Sequence, residues 1–289
     1  MTVPSKELRS VHSPYDDTDV DYMGYWLERR YEHRAEVMAL SRLLRGRRFG
    51  HAVDVGGGYG RLTVVLHDYA DRVTLADPSH RQLQAADRYL ESYPAVNKRL
   101  IDTAHWDFED SSVDLAVMVR VLHHLPHPVN ELSEIARILT VGGCAIIEAA
   151  NVLHAVNRVR YWRNGQTIPM TPADMRSAAN RRPGIIPFVN HHPVMLTRQL
   201  AACGLRVKRV LSVSNLRHPA FKRVMPERLM VAAEYALQVP LAPLRFGPSI
   251  FFLVSKADGS SKLAGSRCGC VRASREGQPV VRGSARRPP

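Results

Sequence analysis

The stretch HAVDVGGGYGRL, residues 51–62, decides the fold. An apolar run, His51–Val55, leads directly into glycines at alternate positions, Gly56, Gly58 and Gly60. Glycine lets the backbone turn sharply and approach a ligand, because no Cβ stands in the way. Open α/β sheets bind their ligands at such a turn, between the carboxyl end of a strand and the next helix. The stretch therefore predicts a strand, a ligand-binding loop and a helix.

The rest of the chain continues as apolar runs that alternate with helix-like stretches. Strands that alternate with helices form parallel sheets joined by right-handed crossovers. A long helical segment separates the last two runs, which permits an antiparallel strand there. The predicted fold is a Rossmann-like, doubly wound α/β fold, with a mostly parallel, seven-stranded sheet and an antiparallel last strand. The predicted strands are His51–Val55, Val73–Ala76, Arg99–Ile101, Val113–Val119, Cys144–Ala149, Leu205–Val213 and Ser249–Val254.

The predicted organisation is one domain followed by a tail. Tyr22–Leu44 contains no proline and repeats its apolar positions at steps of three and four, which predicts one helix. We expect residues 1–256 to form the domain, with a helical cover over residues 1–45 and an irregular insertion over residues 151–190. Residues 257–289 are rich in Gly, Ser, Arg and Pro, which predicts a disordered basic tail.

Charge divides the chain into two halves. The net charge is +13, yet residues 1–150 hold 17 Lys and Arg against 22 Asp and Glu, whereas residues 151–230 hold 14 against 2. This asymmetry predicts either an anionic partner for the second half or a basic surface that aids solubility. No apolar run is long enough to span a membrane, and the N-terminus lacks the pattern of a secretory signal. We therefore expect a cytoplasmic protein.

Two acids stand at the ends of the first two predicted strands. Asp54 precedes Gly56 by two residues, and Asp77 follows Asp54 by 23 residues. Dinucleotide-binding loops place a pyrophosphate at a helix N-terminus, whereas an acid at the strand end suits a ligand with an ammonium group. A carboxylate at position 77 can accept hydrogen bonds from ribose hydroxyls. Alternatively, Asp77 caps the next helix, although Ser79 is better placed to do so.

Three further segments complete a recognisable pattern. They are Ile101–Leu115, Val121-Leu122-His123-His124-Leu125, and Glu134–Leu139 followed by Val141-Gly142-Gly143. The first is similar to GDAxxLPFxDxSFDLV and the other two to LHHL…EIxRVLxPGG. With the glycine loop and Asp77, they resemble the class I S-adenosylmethionine (SAM)-dependent methyltransferases over about residues 45–150. The resemblance is closest to the branch that includes ubiquinone and menaquinone biosynthesis enzymes, which methylate small molecules.

The resemblance implies SAM as the cofactor and a role for each matching position. Asp102 would approach the adenine amino group, and Thr103 would offer its backbone N–H to the ring. Arg120 would lie near the methionine end of SAM, where the family more often has a small or polar residue. Trp106 would either stack near the adenine or pack in the core. The expected cofactor site consists of Asp54, Gly56, Gly58, Gly60, Asp77, Asp102, Thr103 and Arg120.

His124 aligns with the histidine that the family usually has at the mouth of the cleft. Methyl transfer is an in-line displacement, so positioning supplies most of the rate. A base is needed only where the acceptor holds its proton tightly, and imidazole suits that role at neutral pH. His124 is therefore the candidate catalytic residue; the alternative is a residue at a helix start without catalytic duty. Adjacent histidines usually diverge, so we expect no metal site at His123, His124 and His127.

Three functions remain compatible with these observations. The first is SAM-dependent methylation of a small, anionic or aromatic metabolite, with the basic stretch Arg158–Arg182 lining the acceptor pocket. The second is an RNA methyltransferase, since arginine beside aromatic residues also binds RNA. The third is a SAM-binding protein without catalysis, whose basic half meets a partner. No nucleic-acid-binding module is recognisable, which ranks a small-molecule acceptor first. The sequence does not predict the oligomeric state.

Overall fold

The computed structural model describes residues 13–17, 21–102, 106–176 and 186–257. The predicted tail, residues 257–289, lies outside these ranges except for its first residue. The helices are α1 (Tyr22–Leu27), α2 (Arg30–Leu44), α3 (Thr63–Leu66), α4 (His80–Tyr89), α5 (Val129–Ile138), α6 (Ala155–Arg163), α7 (Pro193–Ala202), α8 (Pro219–Val224) and α9 (Glu227–Leu237). The strands are β1 (Phe49–Val55), β2 (Ala70–Asp77), β3 (Val96–Leu100), β4 (Val113–Met118), β5 (Leu139–Ala150), β6 (Leu205–Val213) and β7 (Ser249–Lys256).

One seven-stranded sheet runs through the domain in the order β3-β2-β1-β4-β5-β7-β6. The pairs from β3 to β5 are parallel, and β7 is antiparallel to both β5 and β6. The predicted fold, including its antiparallel last strand, is confirmed. The register pairs Val55 with Ala76 and Asp77 with Leu100. The carboxyl ends of β1, β2 and β3 therefore meet at one edge, where an open α/β sheet binds its ligand.

Both faces of the sheet are covered, because neighbouring residues of a strand point to opposite faces. In β4, Leu115 and Val117 join one apolar cluster with side chains of α2, α3 and α4. Ala116 and Met118 join a second cluster with side chains of α5 and α7. All four residues are fully buried. This two-sided core accounts for the nearly continuous apolar sequence of the central strand.

The prediction of one helix over Tyr22–Leu44 is wrong, since α1 and α2 are separated at Glu28 and Arg29. Arg29 has φ −111° and ψ 40°, outside the helical region. Before the break, Trp26 lies against the guanidinium of Arg61. The Arg61 Cζ is 3.6 Å from the centroid of the Trp26 ring. The continuing helix α2 keeps its own apolar face in the core.

The segment 151–190 begins at the carboxyl end of β5, and both of its ends lie there. Asn151 forms an isolated bridge with His191, and its side-chain amide donates to the carbonyls of Arg245 (2.8 Å) and Gly247 (2.7 Å). These bonds hold the start of the segment against the turn before β7. Among the described residues, no helix is both long and apolar enough to cross a bilayer.

Candidate functional site

The glycine loop joins β1 to α3 through backbone conformations that favour glycine. Gly56, Gly58 and Gly60 have φ angles of 66°, 60° and 93°, a region that other residues rarely adopt. A Cβ at Gly56 would overlap Cγ2 of Val121, three residues beyond the end of the neighbouring strand β4. The loop therefore presents backbone, not side chains, at the carboxyl edge of the sheet.

Asp77, at the end of β2, holds this loop in place. Its carboxylate accepts hydrogen bonds from the backbone N–H of Gly58 and of Ser79, both at 2.8 Å. Burial raises the pKa of Asp77 to about 6, although these two N–H groups oppose the shift. The hydroxyl of Ser79 in turn accepts from Gln82 N–H and caps α4. The helix cap is therefore Ser79, and Asp77 remains available for a ligand.

Asp54 lies beneath the loop, near the end of β1. Only 2% of the residue is exposed, and the Thr63 hydroxyl donates to its carboxylate at 2.7 Å. Burial raises the pKa of Asp54 to about 6, and the Thr63 hydrogen bond opposes the shift. The charges of Asp54 and Asp77 repel one another. Two carboxylates with raised pKa values thus stand at the ends of neighbouring strands.

Arg120, directly beyond β4, is held in a buried ion-pair cluster. Its guanidinium bonds the Glu36 carboxylate through Nε (2.7 Å) and Nη2 (2.5 Å), and Arg61 bonds the other Glu36 oxygen at 2.6 Å. Glu36 is fully buried, whereas the Arg61 and Arg120 side chains are 8% and 21% exposed. Arg120 has a φ of 65°, and its N–H donates to Glu148 at 3.0 Å. The cluster lies where the glycine loop, β4 and β5 meet.

The charges of this cluster stabilise one another against the cost of burial. Burial disfavours the charge on Glu36, yet Arg120 and Arg61 outweigh it and lower the pKa of that carboxyl group. Burial likewise opposes the charge on Arg120, but Glu36 and Glu148 raise its pKa. Two guanidinium groups share the Glu36 carboxylate beside Trp26, and Glu148 adds a second negative charge near Arg120, so the charges of the four groups balance. The remaining N–H groups of the two guanidinium groups suit an anionic group on a ligand.

Residues 13–17 lie against the same edge of the sheet. Asp16 accepts hydrogen bonds from the Ser79 hydroxyl (2.6 Å) and from the Arg81 backbone N–H (3.0 Å), which fasten the segment to the start of α4. The Tyr15 ring packs against Tyr22 of α1, with ring centroids 5.2 Å apart. This part of the N-terminal region covers the end of β2.

His124 is hydrogen-bonded at both ring nitrogens. Its Nδ1 lies 2.7 Å from the Pro187 carbonyl, which can only accept, so Nδ1 carries the proton. Its Nε2 then accepts from the Tyr15 hydroxyl. Burial lowers the pKa of His124 and raises that of Tyr15, so both side chains are neutral near pH 7. His124 can therefore take a proton only through Tyr15, or after Tyr15 moves away.

Three other positions were predicted to lie at or near the adenine of SAM, and the structure treats each differently. Asp102 follows β3, at the same edge as Asp77. Thr103 lies outside the described residues. Trp106 is 1% exposed and belongs to the core cluster beneath α5, and its backbone N–H donates to Glu134 at 3.0 Å. Of the two roles considered for Trp106, core packing is the one that the structure has.

Three residues of the candidate site, Glu36, Arg61 and Tyr15, were not predicted from the sequence. A signal for Glu36 was present, because it stands on the face of α2 that also buries Ala35, Ala39 and Leu40. An acid on an apolar helix face needs a charged partner, since an unpaired buried charge is strongly unfavourable. The sequence does not show which arginine supplies that partner.

Comparison with known proteins identifies the central part of the chain. Residues 53–147 match the family described as "Methyltransferase domain". This match confirms the predicted enzyme class for that part of the chain, with SAM as the cofactor of the class, and does not distinguish its branches. A curated relative, a phosphatidylethanolamine N-methyltransferase of Cereibacter sphaeroides, is 32% identical over 103 residues, which cover 35% of this chain and 50% of the relative. The chain thus spans about half the length of that relative.

Solved structures share the fold over a longer part of the chain. A SAM-dependent methyltransferase of Thermotoga maritima has a TM-score of 0.58 and 18% identity, covering 84% of this chain and 98% of that one. The geranyl diphosphate C-methyltransferase of Streptomyces coelicolor, solved with Mg²⁺, geranyl diphosphate and S-adenosylhomocysteine, has a TM-score of 0.51 and 15% identity, covering 77% of each chain. At these identities the likeness concerns the fold.

Proposed function

We propose that this chain transfers a methyl group from SAM to a small acceptor that carries an anionic group or an aromatic ring. One observation carries the proposal: Asp77 and the glycine loop are bonded to each other at the carboxyl edge of a methyltransferase fold. Each Asp77 oxygen accepts one backbone N–H, and each has a second lone pair for a ribose hydroxyl. A nucleoside fits this carboxylate, and the loop beside it has no side chain at Gly56 or Gly58.

The methionine end of SAM would lie between Asp54 and the arginine cluster. Its ammonium group suits Asp54, either directly or through water, because the buried carboxylate lies beneath the loop. Its carboxylate suits the N–H groups of Arg61 and Arg120 that do not bond Glu36. Arg120 would thus act at the carboxylate, while Glu36 holds its guanidinium away from the sulfonium. Asp102 and Thr103 would meet the adenine, as the family resemblance implies.

The sulfonium of SAM supplies an activated methyl group, so the protein's main task is to position the acceptor and exclude water. Residues 13–17 and α1 provide a cover over the end of β2. Where the acceptor must lose a proton, the Tyr15 hydroxyl would accept it while passing its own proton to His124 Nε2. The neutral form of His124, favoured by burial, is the form able to accept.

An anionic acceptor is supported by charge. Residues 151–230 hold 14 Lys and Arg against 2 Asp and Glu, and they begin where β5 ends. The curated relative is named for phosphatidylethanolamine, and one structural neighbour was solved with geranyl diphosphate, so both names refer to phosphate-containing molecules. A basic wall beside the methyl group would hold such an acceptor in line.

Calorimetric titration with S-adenosylhomocysteine tests the cofactor site, with NAD as the comparison ligand. We expect binding of S-adenosylhomocysteine at pH 7 and none of NAD. The affinity should fall about tenfold or more at pH 5, because Asp54 and Asp77, with pKa values of about 6, are then mostly protonated. Their ionised forms bind the ammonium group and the ribose hydroxyls, so affinity is present above pH 6 and lost below it.

Asp77→Asn provides the matched variant, since it keeps the shape of the side chain and removes its charge. It should bind S-adenosylhomocysteine less tightly at pH 7, with a smaller loss between pH 7 and pH 5. Equal affinities for NAD and S-adenosylhomocysteine, or an affinity independent of pH, would contradict the assigned site.

A further inference from the structure

A cavity of about 430 Å³ lies between α6, the loop after β6 and the residues before β7. None of the 16 described residues that line it is acidic. Its polar side includes Arg160 and Arg217, and its apolar side includes Phe188, Phe221 and Phe246. The cavity thus combines cationic and aromatic surfaces.

The cavity adjoins the cofactor cleft. The Phe188 ring lies 4.5 Å from the ring centroid of His123, the neighbour of His124 in the chain. The charge of Arg217 also lies within electrostatic reach of Arg120 and Glu148. One wall of the cavity therefore lies near the Arg120 cluster, where the methionine end of SAM is proposed to bind.

Arg217 is a half-buried cation that forms no hydrogen bond or ion pair through its guanidinium with any described residue. Burial and the nearby charges of Arg120 and Arg29 lower its pKa. The carboxylates of Glu32 and Glu148 oppose this shift without bonding the guanidinium. Two other arginines nearby differ in this respect. Arg176, also in the lining, is paired with Asp174 at 2.6 Å, and Arg158 donates to backbone carbonyls of Leu153 and Leu244.

The loop that carries Arg217 is held firmly. The buried Glu234 carboxylate accepts from the backbone N–H groups of Ser214 (2.8 Å) and Asn215 (2.9 Å). Tyr31 donates its hydroxyl to the same carboxylate at 2.7 Å and accepts from Leu216 N–H at 3.0 Å. The backbone that carries Arg217 is therefore fixed before any ligand binds, which lowers the entropic cost of binding.

We infer that this cavity is the acceptor site, and that Arg217 holds a phosphate or carboxylate group of an acceptor whose apolar part packs on Phe188, Phe221 and Phe246. A half-buried charge without a partner is unfavourable, and an anionic ligand would relieve that cost. Arg160, exposed at the rim, adds to the attraction. The inference rests on the proposed methyl transfer, but the anion site itself can be tested without it.

The test uses Arg217→Gln in the full chain, with Arg163→Gln as the control because Arg163 is exposed on α6 and does not line the cavity. Phenyl phosphate and benzoate are titrated by calorimetry into protein saturated with S-adenosylhomocysteine. A parallel arm measures co-sedimentation with phosphatidylcholine vesicles containing phosphatidylglycerol, which distinguishes a lipid headgroup from a soluble anion. Melting temperatures are recorded for all three proteins.

We expect Arg217→Gln to weaken binding of the anion at least about tenfold, as for the loss of a charged hydrogen bond. Arg163→Gln should bind like the parent protein. The melting temperature of Arg217→Gln should stay the same or rise, because no partner loses its bond; a structural role would lower it. Binding confined to vesicles and dependent on Arg217 would support the site with a lipid as the source of the anion.

Equal binding of these anions by the parent protein and Arg217→Gln, or no binding in either arm, would overturn the inference. Titration with S-adenosylhomocysteine alone separates this failure from failure of the proposed function. If the cofactor binds normally but Arg217 has no effect, only the acceptor site is wrong. If the cofactor does not bind, the methyl transfer proposal fails, and the anion titration still reports on the cavity.

Discussion

Replacing Glu36 with glutamine should lower the free energy of unfolding by about 3–5 kcal/mol. The fully buried Glu36 carboxylate bonds both Arg61 and Arg120, whose side chains are only 8% and 21% exposed. Glutamine keeps the size of the side chain but leaves two largely buried cations without an anion between them. Breaking a buried ion pair from one side costs far more than the intact pair contributes, because the remaining charge stays desolvated.

Urea denaturation measures this loss, and Asp71→Asn is the matched control. Asp71 pairs with Arg48 at 2.7 Å, but both side chains are about two-thirds exposed, at 64% and 65%. Solvent screens such a pair, so we expect a change below about 1 kcal/mol. If Glu36→Gln cost no more than Asp71→Asn, the arginine cluster would not be a buried electrostatic unit.

Replacing Gly56 with alanine should weaken binding of S-adenosylhomocysteine at least about thirtyfold. The φ of 66° is strained for any residue with a Cβ, and that Cβ would overlap Val121 Cγ2. Strain of about 1–2 kcal/mol and overpacking of about 1–3 kcal/mol together correspond to this loss. Either the loop or Val121 must move, and both lie at the cofactor cleft.

Gly142→Ala separates backbone strain from the effect on the site. Gly142 has a φ of 81°, but a Cβ there would meet nothing within 4 Å, and it stands at the start of β5, away from the carboxyl edge. We expect a small loss of melting temperature and unchanged affinity in calorimetry. An equal loss of affinity in both variants would show that general destabilisation, and not the geometry of the loop, controls binding.

The strands and their order could be predicted because their signals are local. The run Val113–Val119 is apolar on both faces, and the glycine loop begins directly after β1. Right-handed crossovers then leave few topologies for strands that alternate with helices. The break between α1 and α2 could not be predicted in this way. The break accompanies a contact of Trp26 with Arg61, which lies in another part of the chain.

The positions of the candidate site residues were predictable only where they lie at strand ends. Asp54 and Asp77 follow that rule, and their positions in the structure agree with it. The pairs Glu36 with Arg120 and Tyr15 with His124 join residues 84 and 109 positions apart. No periodicity links residues so distant, since their contact depends on how the N-terminal region packs on the sheet. For the same reason, the sequence does not distinguish Arg217, which is unpaired, from arginines nearby that are paired.

The most direct test of methyl transfer is incubation of the full chain with methyl-labelled SAM and a cell extract containing both metabolites and RNA. Mass spectrometry then identifies which molecule gains the label. We expect the label to appear in a small molecule with a phosphate, a carboxylate or an aromatic ring, and Arg217→Gln to transfer it more slowly. Label in RNA alone, or no transfer by a protein that binds SAM, would contradict the proposed function.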